Sequence, residues 1–168
     1  MRPIFDANFS RNKARYVAQC LLAALSVFAV LILLEAHENT AVIAALGASS
    51  FIAFTMPRTE SSKPRLMIGG YVVGIVSGLA CHSLSLLPFL SELNAMPQFS
   101  SAVYGALAVG LSIFLMVVTD TEHPPASGVA LGLVLNNCDP RTILVVGVGI
   151  VVLSVIKRLL QPVLINLL

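Results

Sequence analysis

The chain has 168 residues, of which 57% are hydrophobic and 11% are charged, and its formal net charge is +2. A mean hydropathy of +0.92 is typical of a polytopic membrane protein and excludes an ordinary soluble globular domain. The small net charge indicates no nucleic-acid partner. We expect a cytoplasmic segment over residues 1–15 and a single transmembrane domain over 16–168, so that any function lies within the membrane.

Six apolar runs follow one another along the chain, four of them long enough to cross a bilayer. The long runs cover residues 16–34, 66–87, 99–119 and 142–160. A short run follows the first and the third of these, at 40–54 and 124–135. A helix of about 14 residues reaches only about 21 Å, against a hydrocarbon thickness of roughly 30 Å. Each short run therefore predicts a broken span or a re-entrant segment.

The positions of Lys and Arg distinguish these two alternatives, because basic loop residues collect on the cytoplasmic side of a membrane. If both short runs cross, nine of the 10 basic residues fall on one side and only Arg141 on the other. If both are re-entrant, the split is six to four. The sequence therefore predicts six crossings with both termini in the cytoplasm. Lys157 and Arg158 are expected to snorkel towards the interface, which leaves no basic residue in the predicted interior.

The chain also repeats itself in the order of its motifs. The Ala-Leu-Gly sequence at 45–47 recurs at 130–132, an offset of 85, and the Pro-Arg-Thr sequence at 57–59 recurs at 140–142, an offset of 83. With three crossings in each half, the two halves must insert in opposite directions. Inverted repeats with interrupted helices are typical of secondary transporters, which hold their substrate at the repeat interface.

The predicted fold is therefore an all-α polytopic bundle of four full-length spans and two short broken or half helices, built as two inverted three-helix repeats. The repeat halves cover about 16–87 and 99–160. We expect these halves to rock against each other and to expose a central site alternately to each face of the membrane.

An acid and an imidazole precede each short helix. At the offset of 85, His37 and Glu38 correspond to Glu122 and His123. A helix N-terminus has free N–H groups and the positive end of the helix dipole, so it favours an anion. The sequence predicts that the two helix starts converge on one anion site. The predicted substrate-binding residues are Asn39, Thr40, Ser49, His123, Pro124, Pro125, Ala126 and Ser127.

Carboxylates near such a site repel an anion unless they are protonated. We hypothesise that protonation of Glu38, Glu122, His37 or His123 couples anion movement to proton movement. The same residues leave other functions open: a cation carrier or channel that uses the carboxylates, a structural or assembly subunit, or a metalloenzyme. No HExxH spacing is present and the three cysteines form no CxxC pair, so we expect no enzyme, metal or cofactor.

Small residues recur at helical spacing on the second long run. Gly70, Gly74 and Gly78 form two successive GxxxG spacings, which predict close helix packing. Gly128 and Gly132 repeat the spacing in the second short run, where we expect close approach to the opposite half. A bundle of six short crossings buries little surface around a central site, so we also expect a homo-oligomer.

Three segments of the chain resemble the HPP family of small integral membrane proteins. These are residues 122–132, which contain the His-Pro-Pro triplet, together with 46–50 and 63–70. The resemblance extends over about 16–160. It implies a membrane protein usually described with four spanning helices, and a transporter with relatives linked to nitrite. Nitrite, a small planar anion, suits two helix starts and a few hydroxyl donors.

We therefore expect a membrane transporter of a small inorganic anion, most specifically nitrite. The N-terminal segment has no Arg- and Ser-rich transit-like stretch, which favours the plasma membrane of a prokaryote over an organelle. The sequence gives neither the coupling ion nor the choice between a carrier and a channel.

Overall fold

The computed structural model describes residues 7–33, 40–88, 96–136 and 139–167. Within these ranges the chain forms six α-helices and no strand. The helices are α1 (Ala7–Leu33), α2 (Thr40–Thr55), α3 (Pro64–Ser85), α4 (Pro97–Val118), α5 (Pro125–Leu135) and α6 (Pro140–Leu160). A short 3-10 turn, Glu60–Ser62, precedes α3. The prediction of an all-α bundle is confirmed.

The division into long and short helices is also confirmed. Four helices are long and apolar enough to cross a membrane, over Asn12–Ile32, Pro64–Ser85, Pro97–Val118 and Pro140–Leu160. The two short helices, α2 and α5, have 16 and 11 residues, or about 24 and 17 Å. Each of α3, α4, α5 and α6 begins at a proline, whose missing N–H would have no helical partner at that position.

The two short helices pack side by side in opposite directions. A Cβ placed on Gly128 of α5 would lie 3.7 Å from the Cβ of Ala45 in α2. A Cβ placed on Gly132, one turn later in α5, would lie 3.0 Å from the Cβ of Ala41, which is one turn earlier in α2. The pairing order is reversed, so α2 and α5 are antiparallel. The predicted approach of the second short run to the opposite half is observed here.

The glycine stripe of α3 packs within the chain, against α5. Gly74 lies against the Ala126 carbonyl oxygen, and a Cβ on Gly78 would lie 3.0 Å from the Ala130 carbonyl oxygen. Because the pairing order is the same along both helices, α3 and α5 are parallel. The close packing predicted from the GxxxG spacings therefore occurs between two helices of one chain.

Three further helix pairs, α1–α2, α3–α4 and α3–α6, are antiparallel. For α1 and α2 the contacts that establish this are Gln19–Phe54 and Ala23–Ser50. For α3 and α4 they are Arg65–Asp120 and Gly70–Met116. For α6 they are Met67–Ser154, with α3, and Ser62–Lys157, with the turn before α3. Each helix consequently runs opposite to the helix before it. This alternation is what six passes through a membrane require.

The packing has an approximate two-fold symmetry that relates α1, α2 and α3 to α4, α5 and α6. Of the main packed pairs among the described helices, α1–α2 corresponds to α4–α5, α1–α6 to α3–α4, and α2–α6 to α3–α5. The pairs α2–α5 and α3–α6 each correspond to themselves. Since those self-paired helices are antiparallel, the two-fold axis is perpendicular to them. An axis of this kind relates two inverted repeats.

The third helix of each repeat packs mainly on the opposite repeat. Helix α3 packs mainly on α4 and α5, and α6 packs on α3 as well as on α1 and α2. The packed units are therefore α1–α2–α6 and α3–α4–α5, which differ from the sequence halves 16–87 and 99–160. The glycines of α3 face α5, and this close contact explains why α3 joins the second unit.

Both ends of the described chain lie at one end of the bundle, which we call the basic end. The Tyr16 hydroxyl donates to the Leu167 carbonyl at 2.8 Å, and the Gln19 side chain bonds the backbone of Ile165. The basic residues placed here by their helix ends are Lys13, Arg15, Arg58, Lys63, Arg65, Lys157 and Arg158. Arg141 lies at the start of α6, at the opposite end. This distribution agrees with the predicted six crossings.

Helix α4 ends in a Schellman motif with an aspartate at the left-handed position. The Thr121 N–H donates to the Met116 carbonyl at 3.0 Å and the Asp120 N–H to the Val117 carbonyl at 3.4 Å. Asp120 has a φ of 53°, a region that glycine usually occupies and that aspartate tolerates. The motif reverses the chain towards α5 within a few residues.

Asp120→Val is expected to lower the free energy of unfolding by about 1–2 kcal/mol, because a β-branched residue is strained at positive φ. Asp120→Gly is the matched control and should leave stability at or above the wild-type value. Thermal unfolding of the purified protein in detergent measures both. Equal stability of the valine and glycine variants would contradict the assigned motif.

Candidate functional site

His123 is fully buried in the turn between α4 and α5, at the interface of the two packed units. Its Nε2 lies 2.8 Å from the Ser49 hydroxyl of α2, and its Nδ1 lies 2.9 Å from the Ser61 carbonyl oxygen. The Ser49 hydroxyl is also 2.8 Å from the Tyr71 hydroxyl of α3. Four segments of the chain thus meet in one buried polar cluster.

The carbonyl at one end of this cluster sets the direction of its hydrogen bonds. A carbonyl oxygen only accepts, so Nδ1 of His123 donates to Ser61. With a neutral imidazole, Nε2 then accepts from the Ser49 hydroxyl, which in turn accepts from the Tyr71 hydroxyl. Each of the hydroxyls and ring nitrogens in this hydrogen-bonded cluster then has a partner. A second proton on His123 would reverse both hydroxyl bonds and leave the Tyr71 O–H free to donate elsewhere.

Glycine and the α4 terminus hold His123 in place. A Cβ on Gly70 would lie 2.7 Å from the His123 Cβ and 2.9 Å from the Thr121 carbonyl oxygen, so only glycine lets this turn pack on α3. The Tyr71 ring lies beside the imidazole, with 5.8 Å between ring centroids. Gly70 lies about 9 Å along α3 from the first residue of that helix, which is at the basic end. The cluster beside Gly70 is therefore below the surface of the basic end, inside the bundle.

Lys157 is buried beside this cluster, with 2% of its surface exposed. Its amine donates to the Ser62 carbonyl oxygen at 3.0 Å. Ser62 directly follows Ser61, whose carbonyl oxygen accepts from His123. The expectation that Lys157 snorkels to the interface, with no basic residue in the interior, is therefore wrong. Arg158, the next residue, is exposed.

The C-terminal segment lies at the same end of the bundle as Lys157. After α6 the chain folds back over the basic end, where the Leu167 N–H donates to the Thr55 carbonyl at 2.8 Å. Leu164 and Leu167 are buried there. A basic residue near the end of a membrane helix normally reaches headgroups, but the buried Lys157 amine bonds the Ser62 carbonyl instead.

No described carboxylate pairs with the Lys157 amine. The ion pairs found among the described residues are Lys63–Glu60 and Arg65–Asp120, both at the surface. A buried ammonium without a counter-ion is costly, and one bond to a neutral carbonyl offsets only part of that cost. The site is therefore suited to receive a negative charge.

The structure brings some of the predicted site residues together and separates others. Ser49 and His123 are in direct contact. Ala126 is buried against Gly74, so its side chain serves helix packing. The Ser127 hydroxyl donates to the Pro124 carbonyl at 2.8 Å, within its own turn. Pro124 is exposed and Pro125 is half-buried. The binding roles of these residues stay predictions.

The predicted proton-coupling residues are less well placed or lie outside the described ranges. Glu122 is exposed, one residue from the buried imidazole. His37, Glu38 and Asn39 lie outside the residues that the structure describes, and so does the side chain of Thr40. The structure thus assigns the buried titratable position of this segment to His123 and not to its acidic neighbour.

The two short-helix starts do not converge. Because α2 and α5 are antiparallel neighbours, with Ala41 beside Gly132, their first residues lie at opposite ends of the pair. The start of α5 is level with Ser49, which lies about 14 Å along α2 from the first residue of α2. The prediction of one site between two N-termini is corrected to a site at the start of α5 alone.

The sequence analysis missed Tyr71, Lys157 and the Ser61–Ser62 backbone. For Lys157 a signal exists in the helical register, since it follows the buried Val146, Ile150 and Leu153 at the spacing of one helix face. The two serine carbonyls carry no sequence signal. Within the described ranges, no three His, Cys, Asp or Glu side chains cluster as a metal site would require.

Comparisons with known proteins agree with this architecture. Searches of curated proteins and of solved structures returned no match. The family model described as the HPP transmembrane region matches residues 10–165, which is nearly the whole chain. This match covers nearly all of α1, the other five helices and the His123 cluster. The chain is a multi-pass membrane protein that belongs to the HPP family.

Proposed function

We propose that the protein transports a small inorganic anion, most specifically nitrite, across the plasma membrane of a prokaryote. The observation that carries this proposal is the buried Lys157 amine, which bonds the Ser62 carbonyl and has no described carboxylate partner. A translocated anion would supply the missing negative charge. The proposal assigns the protein no enzymatic activity and no cofactor. A homo-oligomer stays a prediction.

The position of the site favours a carrier that works by alternating access. The Ser49 hydroxyl belongs to the α1–α2–α6 unit, whereas its two partners, Tyr71 and His123, belong to the α3–α4–α5 unit. Lys157 is on the first unit as well. Rocking of one unit against the other would break and remake these bonds, and the moving bodies are then the packed units and not the sequence halves.

The hydrogen-bond chain offers a mechanism for proton coupling. When His123 is doubly protonated, both ring nitrogens donate, so the Ser49 and Tyr71 hydroxyl bonds reverse. The freed Tyr71 O–H would then be available to donate to an anion. The Lys157 ammonium and the new positive charge on the imidazole would attract the same anion. Loss of the proton would restore the closed chain and release the anion. We infer that proton and anion move in the same direction.

The surface charge supports anion entry from the basic end. A cleft of about 330 Å³ at this end is lined by residues that include the exposed Arg15 and Arg58. Clustered basic side chains raise the local concentration of anions. By the positive-inside rule we infer that this end, with both termini, faces the cytoplasm.

The proposal is tested by nitrite uptake into liposomes that contain the purified protein. Chloride, nitrate and a divalent cation are compared in the same preparation, with and without a pH gradient. We expect saturable nitrite uptake that an inward proton gradient accelerates. His123→Ala should lose the acceleration and most of the uptake. His82→Ala removes a partly exposed histidine far along α3 and serves as the control.

The alternative functions predict different outcomes in the same experiment. Flux of the divalent cation alone would favour a cation carrier, although every described carboxylate is exposed: Glu60, Asp120, Glu122 and Asp139. No flux of any ion would favour a structural subunit. Nitrite uptake that is insensitive to the pH gradient would remove the proton coupling but would leave anion transport standing.

A further inference from the structure

Two buried hydroxyl groups in the half of the bundle away from the basic end have no hydrogen-bond partner. Ser77 is fully buried and Tyr104 is 3% exposed, and neither Ser77 Oγ nor the Tyr104 hydroxyl has a donor or acceptor within reach. The buried Ser112, by contrast, donates to the Val109 carbonyl of its own helix at 2.8 Å. An unsatisfied buried hydroxyl destabilises a folded protein and calls for an explanation.

Ser77 lies on the α3 face that meets α5. It stands between Gly74 and Gly78, whose contacts are with Ala126 and Ala130 of that helix. The same face begins at Gly70, against His123. Seven residues of helix place Ser77 about 10 Å from that histidine, in the direction away from the basic end.

Tyr104 lies on α4, whose main packing partners are α3 and α5. The adjacent Gly105 lies beside Leu131 of α5, so this part of α4 faces the same interface. A small cluster of Cys81, Ala108 and Ala130 separates the two hydroxyls. Ser77 precedes Cys81 by one turn and Tyr104 precedes Ala108 by one turn. Since α3 and α4 are antiparallel, the hydroxyls flank this cluster on opposite sides.

We propose that the α3–α4–α5 interface, which is closely packed in this structure, opens during transport, that the anion leaves the His123 cluster along it, and that Ser77 and Tyr104 donate hydrogen bonds to the anion on the way. This inference rests on the proposed anion transport and adds its route. The substrate class is a small, weakly hydrated inorganic anion. Between Leu66 and Ser85 of α3, and throughout α4 and α5, the sequence has no Asp, Glu, Lys or Arg, so neutral hydroxyl donors bind weakly enough to release it.

The stability of two variants separates this role from a structural one. Ser77→Ala and Tyr104→Phe each remove a hydroxyl that has no partner, so neither should lower the thermal unfolding midpoint. Each should reduce nitrite uptake about two- to tenfold, the effect of one lost hydrogen bond to the permeating ion. Ser112→Ala loses only a bond within its helix and should transport at the wild-type rate.

Cys81 provides a second test, because its buried thiol lies between the two hydroxyls. In a Cys20→Ser, Cys138→Ser background it is the remaining thiol, and the small anionic reagent methanethiosulfonate ethylsulfonate can probe it in alkaline buffer. We expect the reagent to modify Cys81 during turnover and to block uptake. Nitrite should slow the modification by occupying the same route.

The results distinguish failure of this route from failure of the proposed function. Wild-type nitrite uptake, with unchanged uptake in Ser77→Ala and Tyr104→Phe and an unreactive Cys81, would overturn the route alone. Wild-type protein that carries no anion would overturn anion transport and the route with it. Reduced uptake in the two variants at undiminished stability, with nitrite protection of Cys81, would support both.

Discussion

Gly74→Ala is expected to lower the free energy of unfolding by about 2–3 kcal/mol and to reduce the yield of folded protein. A methyl group at this position would overlap the Ala126 carbonyl oxygen, which is backbone and has no rotamer through which to escape. Helices α3 and α5 would have to separate. That separation would also loosen the turn at His123, one helical turn away, so uptake should fall with stability.

Gly110→Ala is the matched control, because it makes the same change in a membrane helix where nothing lies within 4 Å of the new methyl group. This variant should gain about 0.5–1 kcal/mol from the better helix propensity of alanine. Thermal or denaturant unfolding in detergent measures both variants. Comparable stability of Gly74→Ala and Gly110→Ala would show that α3 and α5 are not in close contact.

Most of the fold could be predicted because the membrane imposes one constraint on every span. A helix must satisfy its own backbone, so apolar runs bounded by proline and by charge give helix bounds directly. The predicted run at 40–54 became Thr40–Thr55, and the run at 124–135 became Pro125–Leu135. The Lys and Arg distribution favours six crossings, a prediction with which the alternating helix directions agree. The apolar runs can be recognised from short stretches of sequence, and the basic residues can be counted loop by loop.

The assignment of helices to packed units could not be predicted, because it depends on contacts between distant segments. The repeat offset pairs corresponding residues but does not say whether α3 packs on its own half or on the other. The close contact of Gly74 with Ala126 decides this, and a GxxxG spacing names no partner. The same limitation led to the incorrect convergence of the two helix starts.

The site was predicted in part. The segment before α5 pointed to His123, and a hydroxyl on α2 was expected near it, as Ser49 is. The basic group was missed because its burial depends on a distant segment of the chain: the Lys157 amine bonds the Ser62 carbonyl in the turn before α3. Hydropathy alone places Lys157 at the lipid headgroups, because it takes account of one helix and the membrane but not of distant segments that pack on that helix.

Lys157→Met is expected to reduce nitrite uptake to the background of empty liposomes. If the amine pairs with the anion in a buried site, removing it costs about 3–5 kcal/mol, a factor of about 10²–10⁴ in binding. Without substrate the same change should not destabilise the protein, because it replaces a buried unpaired charge with an apolar side chain of similar length. Nitrite should raise the unfolding midpoint of the wild type but not that of this variant.

Arg158→Gln is the matched control, since it removes the next basic side chain, which is exposed, and should keep nitrite uptake unchanged. Lys157→Arg keeps the charge in a larger, planar group and should retain part of the uptake. Anion uptake by Lys157→Met at the wild-type rate would contradict a charge-pairing role. The Ser62 carbonyl bond would then be the main role of the amine, and the anion would have to bind through hydroxyl donors alone.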